Sequence, residues 1–79
     1  MPKIRIDGYD FFFYSNEGTE EPHVHVYIDG SELKFWLAQA ELATQNPRVN
    51  QHKINRIAKV IRQYRNTLQG LWDDYQSRR

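Results

Sequence analysis

Apolar positions recur every second residue up to about residue 46 and every third or fourth residue after it. The first period belongs to a strand with one buried face, the second to an amphipathic helix. The pattern predicts an α+β protein: a small antiparallel sheet of two hairpins, about four strands, packed against one long C-terminal helix.

Lys3 to Ile6 alternates, Asp7-Gly8 supplies the pair that accepts positive φ in a two-residue turn, and Tyr9 to Tyr14 returns as an aromatic run. A two-residue register sets Ile6 opposite Tyr9, Arg5 opposite Asp10 and Ile4 opposite Phe11, pairing apolar with apolar and cation with carboxylate. Ser15 to Pro22 is polar, contains Gly18 and ends in Pro, and reads as an exposed connection. His23 to Ile28 alternates again, Asp29-Gly30 repeats the turn signal, and Glu32 to Leu37 forms the fourth strand. Val26 then opposes Leu33 and Val24 opposes Phe35 on a core face. His23 with Trp36, His25 with Lys34 and Tyr27 with Glu32 share the other face. Ala38 to Thr44 fits either a short helical turn or a continuation of the fourth strand, and Asn46-Pro47 ends it, because the residue before Pro is driven out of the helical region.

From Asn50, an expected N-cap, Ile54, Ile57, Ile61, Tyr64, Leu68, Leu71 and Tyr75 step by three and four, with Trp72 beside them. That is an amphipathic helix of about seven turns. Gly70 costs roughly 1 kcal/mol against Ala, too little to end it. Trp72 is expected against the apolar sheet face near Val24, Val26, Leu33 or Phe35.

Seventy-nine residues make one domain, with a strand-rich half at 1–46 and a helical half at 47–79. The absence of Cys excludes disulfides and thiolate metal sites. No apolar run approaches the about 20 residues of a membrane span. Met1-Pro2-Lys3 leads into alternating sequence and not into a signal peptide's apolar stretch, so a soluble cytoplasmic protein is expected. The net charge is +1, but residues 1–46 hold three Lys and Arg against eight Asp and Glu, whereas residues 47–79 hold eight against two. Such asymmetry points the basic half at a polyanion, nucleic acid or an acidic protein, unless the acidic strands neutralise it.

Three features carry candidate chemistry. His23 and His25 fall on one strand face, with Tyr27, Lys34 and Trp36 beside them and Glu20 and Glu21 just before. That set can be drawn as an acid–base pair, an RNA contact, a His and carboxylate metal site, or simply a solvated or aromatic-packed polar face. Arg48, Lys53, Arg56, Lys59, Arg62 and Arg65 follow one another with no acid between them, which opposes the helix dipole and neutralises no member. Arg56, Lys59 and Arg62 fan across the outer side, and Arg65 falls beside the apolar stripe, where it snorkels. Phe11, Phe12, Phe13 and Tyr14 cannot all face one core. Phe11 and Phe13 are assigned to it, Phe12 or Tyr14 points the other way, and segment 38–49 or another protein is needed as a second covering layer. An exposed edge there invites strand addition.

The stretch from Gly8 to Glu17 (GYDFFFYSNE), then Pro22-His23-Val24-His25-Val26 and Lys34-Phe35-Trp36-Leu37, resembles the small bacterial family catalogued as domain of unknown function 4160. Ala40-Glu41-Leu42-Ala43 and the closing Leu68, Leu71, Trp72 and Tyr75 are similar to its helical half. Asn46-Pro47-Arg48 stands where family members often carry a Gly-containing turn. The resemblance implies that the gene lies beside one for a second small protein, of the family catalogued as domain of unknown function 2442, the two forming a candidate toxin–antitoxin pair. It implies no catalytic residue set.

The function expected is therefore that of a toxin–antitoxin component binding a small cognate protein encoded nearby, with RNA as a further candidate partner. Tyr27, Lys34, Trp36, Arg56, Lys59 and Arg62 are the expected contacts. One alternative is a ribonuclease-type toxin in which His23 or His25 works with Lys34 or Arg62; another is a metal-binding regulator using both His and a carboxylate. No cofactor, resident metal or membrane contact is assigned, and a homo-oligomer stays open.

Overall fold

Asp7 and Gly8 both adopt positive φ, 50° and 85°, and so do Asp29 and Gly30 at 51° and 74°. Positive φ at both central residues makes a type I′ turn, whose twist matches that of the strands it joins. The first turn joins β1 (Lys3–Ile6) to β2 (Tyr9–Phe12) and the second joins β3 (His23–Ile28) to β4 (Ser31–Trp36). Every cross-strand pair expected for the two hairpins is present. This computed structural model describes residues 3–14 and 19–77; the connection expected over 15–22 lies partly outside them.

Among the described residues the sheet has five strands where about four were expected, in the order β1-β2-β3-β4-β5, each antiparallel to its neighbour. After β4 the chain turns through Ala40, at φ 54°, and Glu41–Leu42 (β5) returns against Trp36 and Phe35. The undecided stretch 38–44 therefore ends in a third hairpin. Asn46 opens the turn that leads to the first helix: its Oδ1 accepts from the Arg48 amide at 2.9 Å and its carbonyl from the Val49 amide at 3.2 Å.

Asn50 caps α1 (Gln51–Gln63), its Oδ1 accepting from the Lys53 amide at 2.9 Å. Val49 and Ile54, both buried, stand at the two positions of a hydrophobic staple. One long helix was expected; two are found. Tyr64, at φ −110° and ψ 22°, leaves the helical region, and α2 (Arg65–Gln76) follows at once. No Pro or Gly causes the break, and Gly70 lies inside α2. Ile54, Ile57 and Ile61 join Phe11, Val24, Val26, Leu33 and Phe35 in one core, to which α2 adds Leu68 and Trp72 while also reaching the end of the sheet where β2 and β4 finish and β3 begins. Arg65 Nε donates to the Leu37 carbonyl at 2.9 Å, Trp72 meets Phe13 and His23, and Gln76 Nε2 donates to the Tyr14 carbonyl at 3.0 Å.

Phe11 and Phe13 are buried in the main core, and Phe12 and Tyr14 turn to the opposite face, as the four-aromatic run requires. Segment 38–49 does not cover that second face; Ala40 and Val49 extend the main core instead. The aromatic strand is not an edge either, because β2 lies between β1 and β3.

Candidate functional site

Pairing of β2, β3 and β4 brings Phe12, His25 and Lys34 into one row across the second face, with His23 and Trp36 in the next. Tyr27 is on this face as expected and is 58% exposed. Both imidazoles lie on the face away from the valines, and of the two forms expected for that face the aromatic-packed one is found: His23 is 0% and His25 5% exposed. Aromatic side chains of the chain itself enclose them. Phe12 stacks on His25 with centroids 5.6 Å apart and planes 22° apart, Tyr14 meets its edge at 4.6 Å, and His23 lies 5.3 Å away. His23 is held in turn by Trp36 at 5.6 Å and by Trp72, from α2, at 4.7 Å.

The polar atoms of this cluster are engaged. His23 Nδ1 lies 2.9 Å from the Glu21 carbonyl; a carbonyl only accepts, so that nitrogen carries the proton. Glu20 Oε1 is 3.9 Å away and accepts from Lys34 Nζ at 2.6 Å, and that ammonium sits 4.7 Å from the centroid of the Trp36 ring. His25 Nδ1 lies 3.3 Å from Glu32 Oε2, at ion-pair distance for a protonated imidazole although not aligned as a hydrogen bond. The other Glu32 oxygen accepts from the Tyr14 hydroxyl at 2.8 Å. Two buried imidazoles are thus roofed by two carboxylates, an ammonium and a phenol. Among the described residues no three His, Cys, Asp or Glu converge as a metal-ligand group. The arrangement packs and orders these side chains, with both imidazoles buried inside it.

The basic run divides. Lys53 Nζ pairs with Asp29 Oδ2 at 2.6 Å, tying α1 to the second turn. Arg65 is half-buried and its Nε donates to the Leu37 carbonyl. Arg48, Arg56, Lys59 and Arg62 are exposed, and among the described residues none has an ion pair or side-chain hydrogen bond. Arg56 and Lys59 border a shallow depression with Asp7 and Tyr9 beneath the first turn. Arg62 lies on the other flank of α1, where it lines a groove with Glu41, Asn46 and Asn55. Of the expected contacts, the structure gathers His23, His25, Lys34 and Trp36 into one cluster and leaves Tyr27 at its margin. Arg56, Lys59 and Arg62 stand apart, on the side of α1 away from the core.

The type I′ hairpins, the His-Val-His-Val strand against Lys34-Phe35-Trp36, and Leu68 and Trp72 on the closing helix form one connected structure. The chain belongs to the family described as Domain of unknown function (DUF4160). That family's model matches residues 8–73, from the first turn to α2, so β1 precedes the matched span. No curated protein and no solved structure matches the chain. No helix among the described residues is long and apolar enough to cross a membrane.

Phe12, Tyr14 and Trp72 are the cluster members that reasoning from the chain did not link to the His pair. An aromatic at every other position of 12 and 14, opposite a His-x-His strand, was the available signal.

Proposed function

We propose that this chain is the protein-binding component of a two-protein, toxin–antitoxin type module and that its partner presents an acidic surface. The observation that carries this reading is the set Arg56, Lys59 and Arg62: three exposed cations with no carboxylate partner among the described residues, on a helix whose one other Lys, Lys53, is paired with Asp29. Their mutual repulsion opposes folding slightly, and an anionic surface turns it into attraction and a faster encounter. The resemblance to a family encoded in pairs supports a protein as the source of that surface. Burial of His23 and His25 favours binding over phosphodiester cleavage, because a general base has to reach the proton that it removes.

The test is co-purification of the full chain with the product of the adjacent reading frame, followed by titration at two salt concentrations. Arg56, Lys59 and Arg62 changed together to Glu should weaken binding by about tenfold or more at low salt, and less at high salt. Unchanged binding by the triple variant would falsify this reading.

A further inference from the structure

The sheet has two ends, and they are unlike. β5 is two residues long, whereas β1 has four, Lys3–Ile6, with a full row of backbone groups on its outer side. The Asp7-Gly8 turn decides which groups those are. In a two-residue hairpin the flanking pair, Ile6 and Tyr9, exchanges both hydrogen bonds, and the alternation then binds Ile4 to Phe11. The amides and carbonyls of Lys3 and Arg5 are left pointing away from β2, toward whatever lies beside the sheet.

Charge says what that neighbour is. The Lys3 and Arg5 side chains are exposed on the open face, in register with Phe12 and Asp10, and Arg5 is itself only loosely held by Asp10, at 3.3 Å with 68% of its side chain exposed. On the core side, Ile4 and Ile6 lie along the strand and Arg56 and Lys59 flank its turn. A second copy adding antiparallel to this edge sets Lys3 and Arg5 against Lys3 and Arg5, and like charges in facing positions destabilise a pair. An acidic strand meets no such penalty. Alternate carboxylates face Lys3 and Arg5, and the aliphatic residues between them continue the apolar row of Ile4 and Ile6.

We propose that β1 is the edge onto which an acidic extended segment of the partner adds as a further strand, with Arg56 and Lys59 steering it in. The proposal rests on the reading of this chain as a binder of an acidic protein, and supplies the way that it binds. Backbone hydrogen bonds give such a complex its affinity, and the alternating side chains give it selectivity.

The experiment uses the full chain and an acetylated peptide of alternating Glu and Val about eight residues long, the length of an ordinary strand. Amide hydrogen exchange is followed by NMR at low salt. The Arg5 amide should slow by about tenfold or more on adding the peptide, since its hydrogen bond forms only in the complex. Arg5→Pro removes that donor together with the side chain, without touching the ladder to β2, and Arg5→Ala removes the side chain, with its bonds to Asp10 and the Gly8 carbonyl, while keeping the donor. Arg5→Pro should abolish peptide binding and Arg5→Ala should weaken it; if Arg5→Pro fails to fold, the exchange of the wild-type Arg5 amide still decides. Binding that is sensitive to charge reversal at Arg56 and Lys59 but leaves the Arg5 amide unprotected overturns strand addition and spares the cationic-face reading. A chain that binds no peptide at all overturns both.

Discussion

The rings of His23 and Trp72 lie 4.7 Å apart, so the second helix is fastened to the sheet through an imidazole at the start of β3. Trp72 is 5% exposed, belongs to the same core as Val24, Val26, Leu33 and Phe35, and also meets the ring of Phe13. Trp72→Ala should cost about 3–5 kcal/mol, close to the whole stability of a domain this small. Urea denaturation measures it, and an unchanged midpoint would show that α2 does not depend on the indole.

His23 then contributes packing. His23→Ala should lower stability by about 2–5 kcal/mol, as for other buried side chains of its size. In a double-mutant cycle with Trp72→Ala the losses should fall short of additivity by about 0.5–3 kcal/mol, because both changes empty the same contact. Strictly additive losses would mean that the rings act independently.

Arg65 and its neighbour Arg62 separate structure from binding. Arg65→Ala leaves a half-buried Leu37 carbonyl without its donor and should cost about 1–3 kcal/mol while partner affinity stays as it was. Arg62→Glu should do the reverse, moving stability by no more than about 0.5 kcal/mol and lowering affinity. Melting curves and titrations on the same two proteins would expose an exchange of roles.

The two ion pairs at Lys53–Asp29 and Lys34–Glu20 are short, 2.6 Å each, yet partly exposed. Lys53→Ala should cost less than about 1 kcal/mol, and the loss should shrink in high salt. Asn50→Ala should cost about 1 kcal/mol whatever the salt, since the cap satisfies a backbone amide and is not a charge pair. Salt-dependent thermal melts tell the two kinds of contact apart.

Local chemistry was sufficient for both hairpins. Asp7-Gly8 and Asp29-Gly30 admit positive φ, and with the turn length set, alternation dictates each partner from Ile4–Phe11 to Val24–Phe35. The Asn50 cap and the stripe from Ile54 to Ile61 are local in the same sense. The third hairpin was not legible, because its positive-φ residue is Ala40, a type that carries no turn signal. The break at Tyr64 was not legible either, because the apolar stripe runs through it without Gly or Pro. Period two placed His23 and His25 together on the side away from the valines, but could not say whether water or protein lies over them. That depended on Phe12 and Tyr14 from β2 and Trp72 from α2, residues distant along the chain whose rings meet the imidazoles only after the sheet has formed and α2 has folded across its end.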